Sequence, residues 1–343
     1  MRIHAMAAGS RGDELVPWTY EQAALGPFDC LLRVLACGLC SSDLHMVDNH
    51  WGMSHYPLVP GHEVVGEVVD IGSRVNQLSV GDRVGVGWQR SACFQCHDCL
   101  SGREHCCNKG YQALLADGYG GFAEHMVADS RFCFPIPADF PTDMAGPLLC
   151  GGITVYSALH AAGMTSGQEP QEIGVIGLGG LGHLAIQFAA KSGNRVTLFT
   201  SSEDKAAAAS RLGAHQTILT QQDGRPASAP DRPLDLLIST VPIQLPWDAY
   251  VELVRPGGAL TFVGVPPGPA TLPLDAMILH RRRLLTSSIA GRPMIRETLD
   301  VAARIGVRPT IETFPLAEVN HAIRRLRENR VRYRAVLMVE QQG

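Results

Sequence analysis

Two groups of cysteines are spaced as metal ligands would be. Cys93, Cys96 and Cys99 are followed closely by Cys106 and Cys107. Four thiolates close a tetrahedral zinc site and leave no vacant position, so this group predicts scaffolding, with Cys106 and Cys107 rivals for the fourth place. The other group is dispersed: Cys40, then His62 inside Pro60-Gly61-His62-Glu63, then Cys150. Two thiolates and one imidazole occupy three positions and leave a fourth for a small molecule, so this group predicts chemistry on an alcohol or aldehyde oxygen. Taken singly, Cys40 and Cys150 also read as ordinary buried cysteines. Glu63 is a further carboxylate able to approach the metal. Ser42 and His45 follow Cys40 closely. A hydroxyl can hand a proton to an imidazole that titrates near neutral pH, which predicts a relay; a helix cap and a surface histidine are the competing readings. Asp43 either accepts a hydrogen bond from the ligand histidine or caps a helix.

A third pattern calls for a dinucleotide. Gly177-Leu178-Gly179-Gly180-Leu181-Gly182 directly follows a short apolar strand and opens a helix. In that setting the first glycine allows the tight turn, the second lets backbone approach a pyrophosphate, and the third lets helix and strand pack closely. The next strand ends in Thr200-Ser201-Ser202, with Lys205 nearby, where an NAD site usually places a carboxylate. Hydroxyls and a lysine suit a 2′-phosphate, so the pattern predicts NADP over NAD.

These residues need elements to hold them. Before residue 150 the apolar runs are short and cut by Gly and Pro, with strands expected over 31–35, 63–69 and 83–86. From 172 the rhythm becomes strand, helix, strand: strands over 173–176, 195–199, 234–238 and 259–263, helices over 181–191 and 203–212. Repeated units of that kind predict a parallel sheet covered by helices on both faces. A helix over 316–327 and a strand over 334–339 follow, and Arg281-Arg282-Arg283 reads as a solvated helix end. The fold class is therefore α/β with a mostly-β partner domain. A net charge of −4 excludes a strongly basic nucleic-acid or membrane surface. The first fourteen residues lack the apolar core of a signal peptide, and ten cysteines without one suggest a reducing, cytoplasmic setting.

Together these motifs resemble the zinc-dependent medium-chain alcohol dehydrogenases of the cinnamyl alcohol dehydrogenase subgroup. The resemblance rests on Cys37-Gly38-Leu39-Cys40-Ser41-Ser42-Asp43-Leu44-His45, on the run from Gly52 to Glu63, on Pro147 to Tyr156, on Thr240-Val241-Pro242 and on Val331-Arg332-Tyr333-Arg334. It implies a GroES-like catalytic domain over 1–149 and 290–343, interrupted by a Rossmann doubly wound domain over 150–289. It implies two zinc ions per subunit, with Cys40, His62 and Cys150 at the catalytic one and Cys93, Cys96, Cys99 and Cys107 at the structural one. It carries cofactor contacts to Thr154, the 177–182 turn, Thr200, Ser201, Ser202, Lys205, Thr240, Gly264, Ser288, Ile289 and Ala290. It also implies a homodimer acting on a small alcohol or aldehyde. Ser41 and Ser42 replace the commoner His-Thr pair, and Ile289 stands where plant lignin enzymes often carry phenylalanine. Trp51, Met53 and Trp88 are candidates for the substrate wall. The nearest alternatives are a polyol dehydrogenase of the same fold, which often uses glutamate in place of Cys150, and a non-catalytic NADP-sensing protein.

Overall fold

The computed structural model describes residues 1–165 and 169–340. The first stretch forms β1 (Arg2–Ala7), β2 (Val16–Glu21), β3 (Asp29–Leu39), α1 (Ser41–Val47), β4 (Glu63–Ile71), β5 (Arg83–Val86), β6 (Gln89–Ser91), α2 (His97–Leu100), β7 (Gln112–Ala113), α3 (Leu114–Asp117), β8 (His125–Asp129), β9 (Cys133–Pro135) and α4 (Thr142–Ala145). Then come α5 (Gly151–Ala161), β10 (Glu172–Ile176), α6 (Gly182–Lys191), β11 (Arg195–Thr200), α7 (Glu203–Leu212), β12 (Gln216–Leu219), β13 (Leu234–Ser239), α8 (Trp247–Glu252), β14 (Val254–Phe262), α9 (Leu274–Leu279) and β15 (Arg283–Thr286). The chain closes with α10 (Arg292–Ile305), β16 (Ile311–Pro315), α11 (Val319–Arg327) and β17 (Arg334–Met338). It divides into two compact units, one of Met1–Cys150, Ala290–Ala303 and Pro309–Gly343, the other of Gly151–Ile289 and Arg304–Arg308.

The first unit is built on a sheet in the order β16-β17-β3-β4-β5-β9, with β8 also paired to β3. Along β3 buried and half-buried residues alternate up to Leu35, as in a sheet covered on one face. The last four residues, ending at Leu39, are all buried. There the backbone of Gly146 approaches so closely that a Cβ would sit 2.4 Å from the Glu63 carbonyl oxygen. β17 runs antiparallel to β3, with Leu337 opposite Cys37, and Val34, Val64, Val84, Phe122 and Leu337 lie in one core.

The second unit carries the doubly wound parallel sheet, in the order β12-β11-β10-β13-β14-β15. Every pairing in it is parallel. That is the Rossmann order, which reverses direction between β10 and β13 and leaves a crevice at their carboxyl ends. β13 is buried at all six positions, as a central strand covered on both faces requires. The helix α7 stops at Gly213, whose φ of 108° is the left-handed cap that glycine adopts without a Cβ penalty. Arg308 returns the chain to this unit, exchanging backbone hydrogen bonds of 2.8 and 3.1 Å with the side chain of Gln187 on α6. The arginine run differs from a simple helix end. α9 stops at Leu279, Arg282 turns back to donate to the Val254 carbonyl at 2.7 Å, and Arg283 opens β15. No helix among the described residues is long and apolar enough to cross a membrane.

Candidate active site

Three element ends in the first unit deliver the dispersed ligands. Cys40 stands immediately before α1, His62 immediately before β4, and Cys150 at the end of the 3-10 turn Gly146–Leu149. Their ligand atoms, with the Glu63 carboxylate, all lie within 4.8 Å of one another. The Cys40 and Cys150 sulfurs are 3.8 Å apart, and His62 Nε2 is 3.3 Å from the Cys150 sulfur. Zinc–sulfur bonds of about 2.3 Å at a tetrahedral angle put two sulfurs about 3.8 Å apart, so the thiol pair has the spacing of a zinc edge.

Asp43 organises this group. It is 1% exposed. Its Oδ2 accepts from the Cys40 backbone N–H at 2.8 Å, and its Oδ1 accepts from the Gly61 N–H at 2.9 Å and lies 2.9 Å from His62 Nδ1. The two contacts that the sequence offered as alternatives coexist, because one carboxylate accepts at the start of α1 and also meets the His62 imidazole. Placing the proton on Nδ1 leaves Nε2 free as a metal ligand. Burial pushes the His62 imidazole toward neutrality, but the Asp43 charge and hydrogen bond outweigh it and raise its affinity for protons.

Glu63 is fully buried and forms an ion pair with Arg334, whose Nη1 also lies 3.9 Å from the Cys40 sulfur. Burial pushes the Glu63 carboxyl up to about 7 against the opposing pull of Arg334. One guanidinium cannot balance two thiolates and two carboxylates, and the thiols divide. A hydrogen bond from Cys150 holds Cys40 well below the ordinary thiol range, while that bond and burial push Cys150 well above it. Glu63 Oε2 is buried with no hydrogen-bond partner among the described residues. A dication fits this donor set, because it ionises both thiols together and gives the orphaned oxygen a counter-charge. Arg334 closes the Val331–Arg334 motif, but the motif gave it no part in the site. Its signal was a lone arginine opening the apolar strand Arg-Ala-Val-Leu-Met.

On α1 the Ser42 hydroxyl lies 3.8 Å from the Cys40 sulfur, and His45 follows three residues later. The indole of Trp88 meets the His62 ring edge-on at 5.1 Å, and Trp51 meets Trp88 edge-on at 5.7 Å, so the two tryptophans form an aromatic wall beside the ligand histidine.

In the second cysteine group the structure brings Cys93, Cys96, Cys99 and Cys107 within 4.8 Å, with Cys93 and Cys99 sulfurs 3.8 Å apart. Cys106 points outward and is exposed, so geometry separates the two rivals. Backbone N–H groups also serve these sulfurs, Cys93 N–H to Cys107 and Cys96 N–H to Cys93. The loop is anchored by protein as well. Glu104, 1% exposed, accepts from Arg292 Nε at 2.7 Å and from the Arg292 backbone N–H at 3.1 Å. Phe94 lies under the guanidinium groups of Arg131 and Arg292.

In the second unit the glycine turn sits at the carboxyl end of β10. Gly177 has a φ of 90°, and a Cβ there would lie 2.4 Å from the Val241 side chain. A Cβ on Gly182 would lie 2.0 Å from the Gly177 carbonyl oxygen. Gly179 differs, because a Cβ there meets nothing within 4 Å, so the space above it is open for a ligand. Leu178 is buried, and Gly180 and Leu181 are partly buried. Thr240 follows β13 and donates to the Ile176 carbonyl at 2.8 Å, tying the two strands at the crevice, and the backbone of Gly264 packs against Thr240. Thr200 accepts from the Ser202 N–H at 3.3 Å, Ser201 is exposed and Lys205 lies in the first turns of α7. Thr154 is buried on α5, with its carbonyl accepting from Ser287 at 3.4 Å. Ser288 and Ile289 follow β15 in an irregular segment of this unit, and Ala290 is assigned to the other.

Residues 26–138 match the alcohol dehydrogenase GroES-like domain family, and residues 180–304 match the zinc-binding dehydrogenase family. The aldehyde reductase AdhA of Synechocystis is 39% identical over 335 residues, 98% of each chain.

The chain belongs to the zinc-binding alcohol dehydrogenases.

The mannitol dehydrogenase of Petroselinum crispum is 40% identical over 332 residues, covering 95% of this chain and 98% of its own. Among solved structures, a cinnamyl alcohol dehydrogenase of Sorghum bicolor superposes with a TM-score of 0.91 at 36% identity, over 98% of both chains. The CAD of Helicobacter pylori complexed with NADP(H) matches with a TM-score of 0.88 at 27% identity, over 98% of both. This alcohol dehydrogenase is thus an oxidoreductase of the cinnamyl alcohol dehydrogenase type.

Proposed function

We propose that this dehydrogenase moves hydride between NADP(H) and a primary alcohol or aldehyde, working chiefly as an aldehyde reductase on aromatic or medium aliphatic substrates. One observation carries the reading. Cys40, His62 and Cys150 stand at zinc spacing, while the fourth side chain in reach, Glu63, is paired through one carboxylate oxygen with Arg334. Three ligands then leave one position for a substrate oxygen.

Cys40, His62 and Cys150 would hold a zinc ion, which would supply Lewis-acid polarisation of that oxygen. NADPH supplies the hydride and is held by the 177–182 turn. The protein's own residues do the rest. Asp43 fixes the His62 tautomer. Ser42 takes or returns the proton of the reacting oxygen, and His45 connects it toward water. Trp51 and Trp88 give a flat apolar substrate a surface to pack on. The open face of Gly179 and the helix start behind it receive the pyrophosphate. Thr200, Ser201, Ser202 and Lys205 receive the 2′-phosphate, and Thr154, Thr240, Gly264, Ser288, Ile289 and Ala290 complete the cofactor contacts. A zinc at Cys93, Cys96, Cys99 and Cys107 orders its loop. The edge strand β15 exposes Leu284, and Val265, Ile278 and Leu279 are 74–80% exposed, which supports pairing with a second copy. A cytoplasmic setting suits the reduced thiols.

The test is NADPH oxidation with cinnamaldehyde, benzaldehyde, hexanal and a ketose, each repeated with NADH. We expect aldehydes to outrun the ketose and NADPH to be preferred by at least about tenfold in kcat/KM, or ~1.4 kcal/mol. Preference for NADH, or for the ketose, overturns the proposal.

A further inference from the structure

Trp88 stands between β5 and β6 and is half-buried. An indole has one polar atom, an N–H that can only donate, so a half-buried tryptophan is oriented by the acceptor that this atom finds. Here the acceptor is the Tyr111 hydroxyl, 2.7 Å from Trp88 Nε1. The backbone fixes both partners. Gln89 of β6 pairs with Ala113 of β7, and the Leu114 N–H donates to the Trp88 carbonyl at 2.8 Å. Tyr111, directly before β7, therefore reaches across the strand pair to the indole. Both partners are also mounted on the loop that carries Cys93 to Cys107. The buried Gln89 side chain donates to the Glu104 carbonyl at 2.8 Å and to the Ser91 carbonyl at 2.9 Å. Gly110 packs so close to the same loop that a Cβ on it would lie 2.9 Å from the Cys93 nitrogen.

We propose that Tyr111 is the positioning residue of the aromatic wall: by holding the Trp88 indole N–H it sets which way round that ring meets a flat, aryl-bearing aldehyde beside His62. The inference rests on the reading of this chain as an aldehyde reductase with Trp51 and Trp88 beside its substrate. The Trp88 ring stands at 87° to that of His62, with centroids 5.1 Å apart, and at 82° to that of Trp51. Both are edge-to-face arrangements, which aromatic rings prefer to a face-to-face sandwich. A half-turn about the bond to the ring would keep its plane but swing the six-membered ring to the opposite side, and it would carry Nε1 away from Tyr111. The hydrogen bond therefore selects one of the two arrangements. A rigid conjugated ring packs on one of them in a defined offset, whereas a flexible alkyl chain adapts to either.

The experiment compares Tyr111→Phe, Trp88→Phe and the double variant in the zinc-loaded full chain. Phenylalanine keeps the ring of Tyr111 and removes only the acceptor. For Tyr111→Phe we expect KM for cinnamaldehyde with NADPH to rise about fivefold, or ~1 kcal/mol, while kcat stays within about twofold and both constants for hexanal hold. In the Trp88→Phe background the same substitution should change nothing further, because no donor is left. A second readout does not depend on turnover. Isotope-labelled tryptophan gives one indole N–H signal for each of the four tryptophans, and the signal missing in Trp88→Phe should move upfield in Tyr111→Phe. An unchanged KM for cinnamaldehyde, an equal rise for hexanal, a fall in kcat at constant KM, or an unmoved Trp88 signal would each overturn the positioning role and leave the aldehyde reductase reading standing. Failure of the native chain to reduce either aldehyde overturns both.

Discussion

Asp43→Asn tests whether one carboxylate organises the candidate active site. The native group serves three buried donors, the backbone N–H of Cys40 on one oxygen and the N–H of Gly61 with His62 Nδ1 on the other. Asparagine keeps the volume but has one acceptor oxygen. If that oxygen stays with Gly61 and His62, the amide NH2 meets the Cys40 N–H, donor against donor. One stranded buried donor costs about 1–3 kcal/mol, and the remaining hydrogen bonds lose about 1 kcal/mol when the charge goes, so the total is about 2–4 kcal/mol. A domain of this size moves by about 2–4 °C per kcal/mol, which puts the loss in melting temperature at about 4–16 °C. The His62 ring also loses the partner that orients it and raises its basicity, and removal of such a partner typically weakens a metal site about 10–100-fold. The assay is zinc competition with a chromophoric chelator, together with thermal melts of zinc-loaded and chelator-stripped protein. The stripped melt isolates the fold, and the difference between melts isolates the metal. A zinc at Cys93, Cys96, Cys99 and Cys107, which Asp43 does not touch, should remain in the variant. If Asp43→Asn melts within about 2 °C of the native protein and competes for zinc equally well, Asp43 does not do what its geometry implies.

Three further outcomes follow from other parts of the molecule. Cys93→Ser should lose one zinc per chain by elemental analysis while Cys106→Ser keeps both; the reverse result would displace Cys107 from the cluster. Arg292→Ala removes the charged partner of the buried Glu104 carboxylate, leaving it the backbone N–H of residue 292, and should lower unfolding stability by about 2–4 kcal/mol in urea, the low side of a broken buried pair because Arg292 is 24% exposed. A loss under about 1 kcal/mol would show that the zinc loop is anchored without that pair. Gly179→Ala should fold with stability within about 0.5 kcal/mol of native, since its Cβ meets nothing, yet bind NADPH at least tenfold more weakly by fluorescence titration. Gly177→Ala, with its φ of 90° and a contact at 2.4 Å, should instead lose stability, and matching effects at both glycines would refute the assignment of Gly179 to the ligand.

Much of this was legible in the residues because the information is local. The turn after β10 is a run of glycines behind a short apolar strand, and each glycine answers to a constraint within a few residues of itself. The cysteine loop is equally local, although the choice between Cys106 and Cys107 needed either the resemblance or the structure, since one residue of register turns a side chain from the cluster to solvent. What stayed hidden was long-range. Arg334 reaches Glu63 only because β17 pairs with β3, and no local pattern specifies a register that sets Leu337 against Cys37. His50 carried no signal in the sequence, because only the turn after α1 brings its ring back to 3.0 Å from that of His45. The helical rhythm of α10 runs on without a break, so nothing in it announced that Arg304–Arg308 belong to a different unit from the residues before them.

The two cysteine groups differ in what holds them, and that difference follows from how the chain delivers their ligands. Cys93, Cys96, Cys99 and Cys107 come from one short loop whose regular elements are the four-residue α2 and the three-residue 3-10 turn Glu104–Cys106. Such a segment has little core of its own. Its order must come from the metal and from outside props, which here are Glu104 with Arg292 and the Phe94 ring between two arginines. Cys40, His62 and Cys150 instead sit at the ends of a helix, a strand and a 3-10 turn, each fixed by a buried sheet. The hydrogen bonds that Asp43 accepts from the Cys40 and Gly61 backbone set Cys40 and His62 relative to one another independently of any ion. A site assembled in this way can leave a position open without collapsing onto it, because the fold rather than the metal carries the strain of holding three donors apart. That is the property a reaction centre needs, whereas a loop with no core of its own needs the closed set of four.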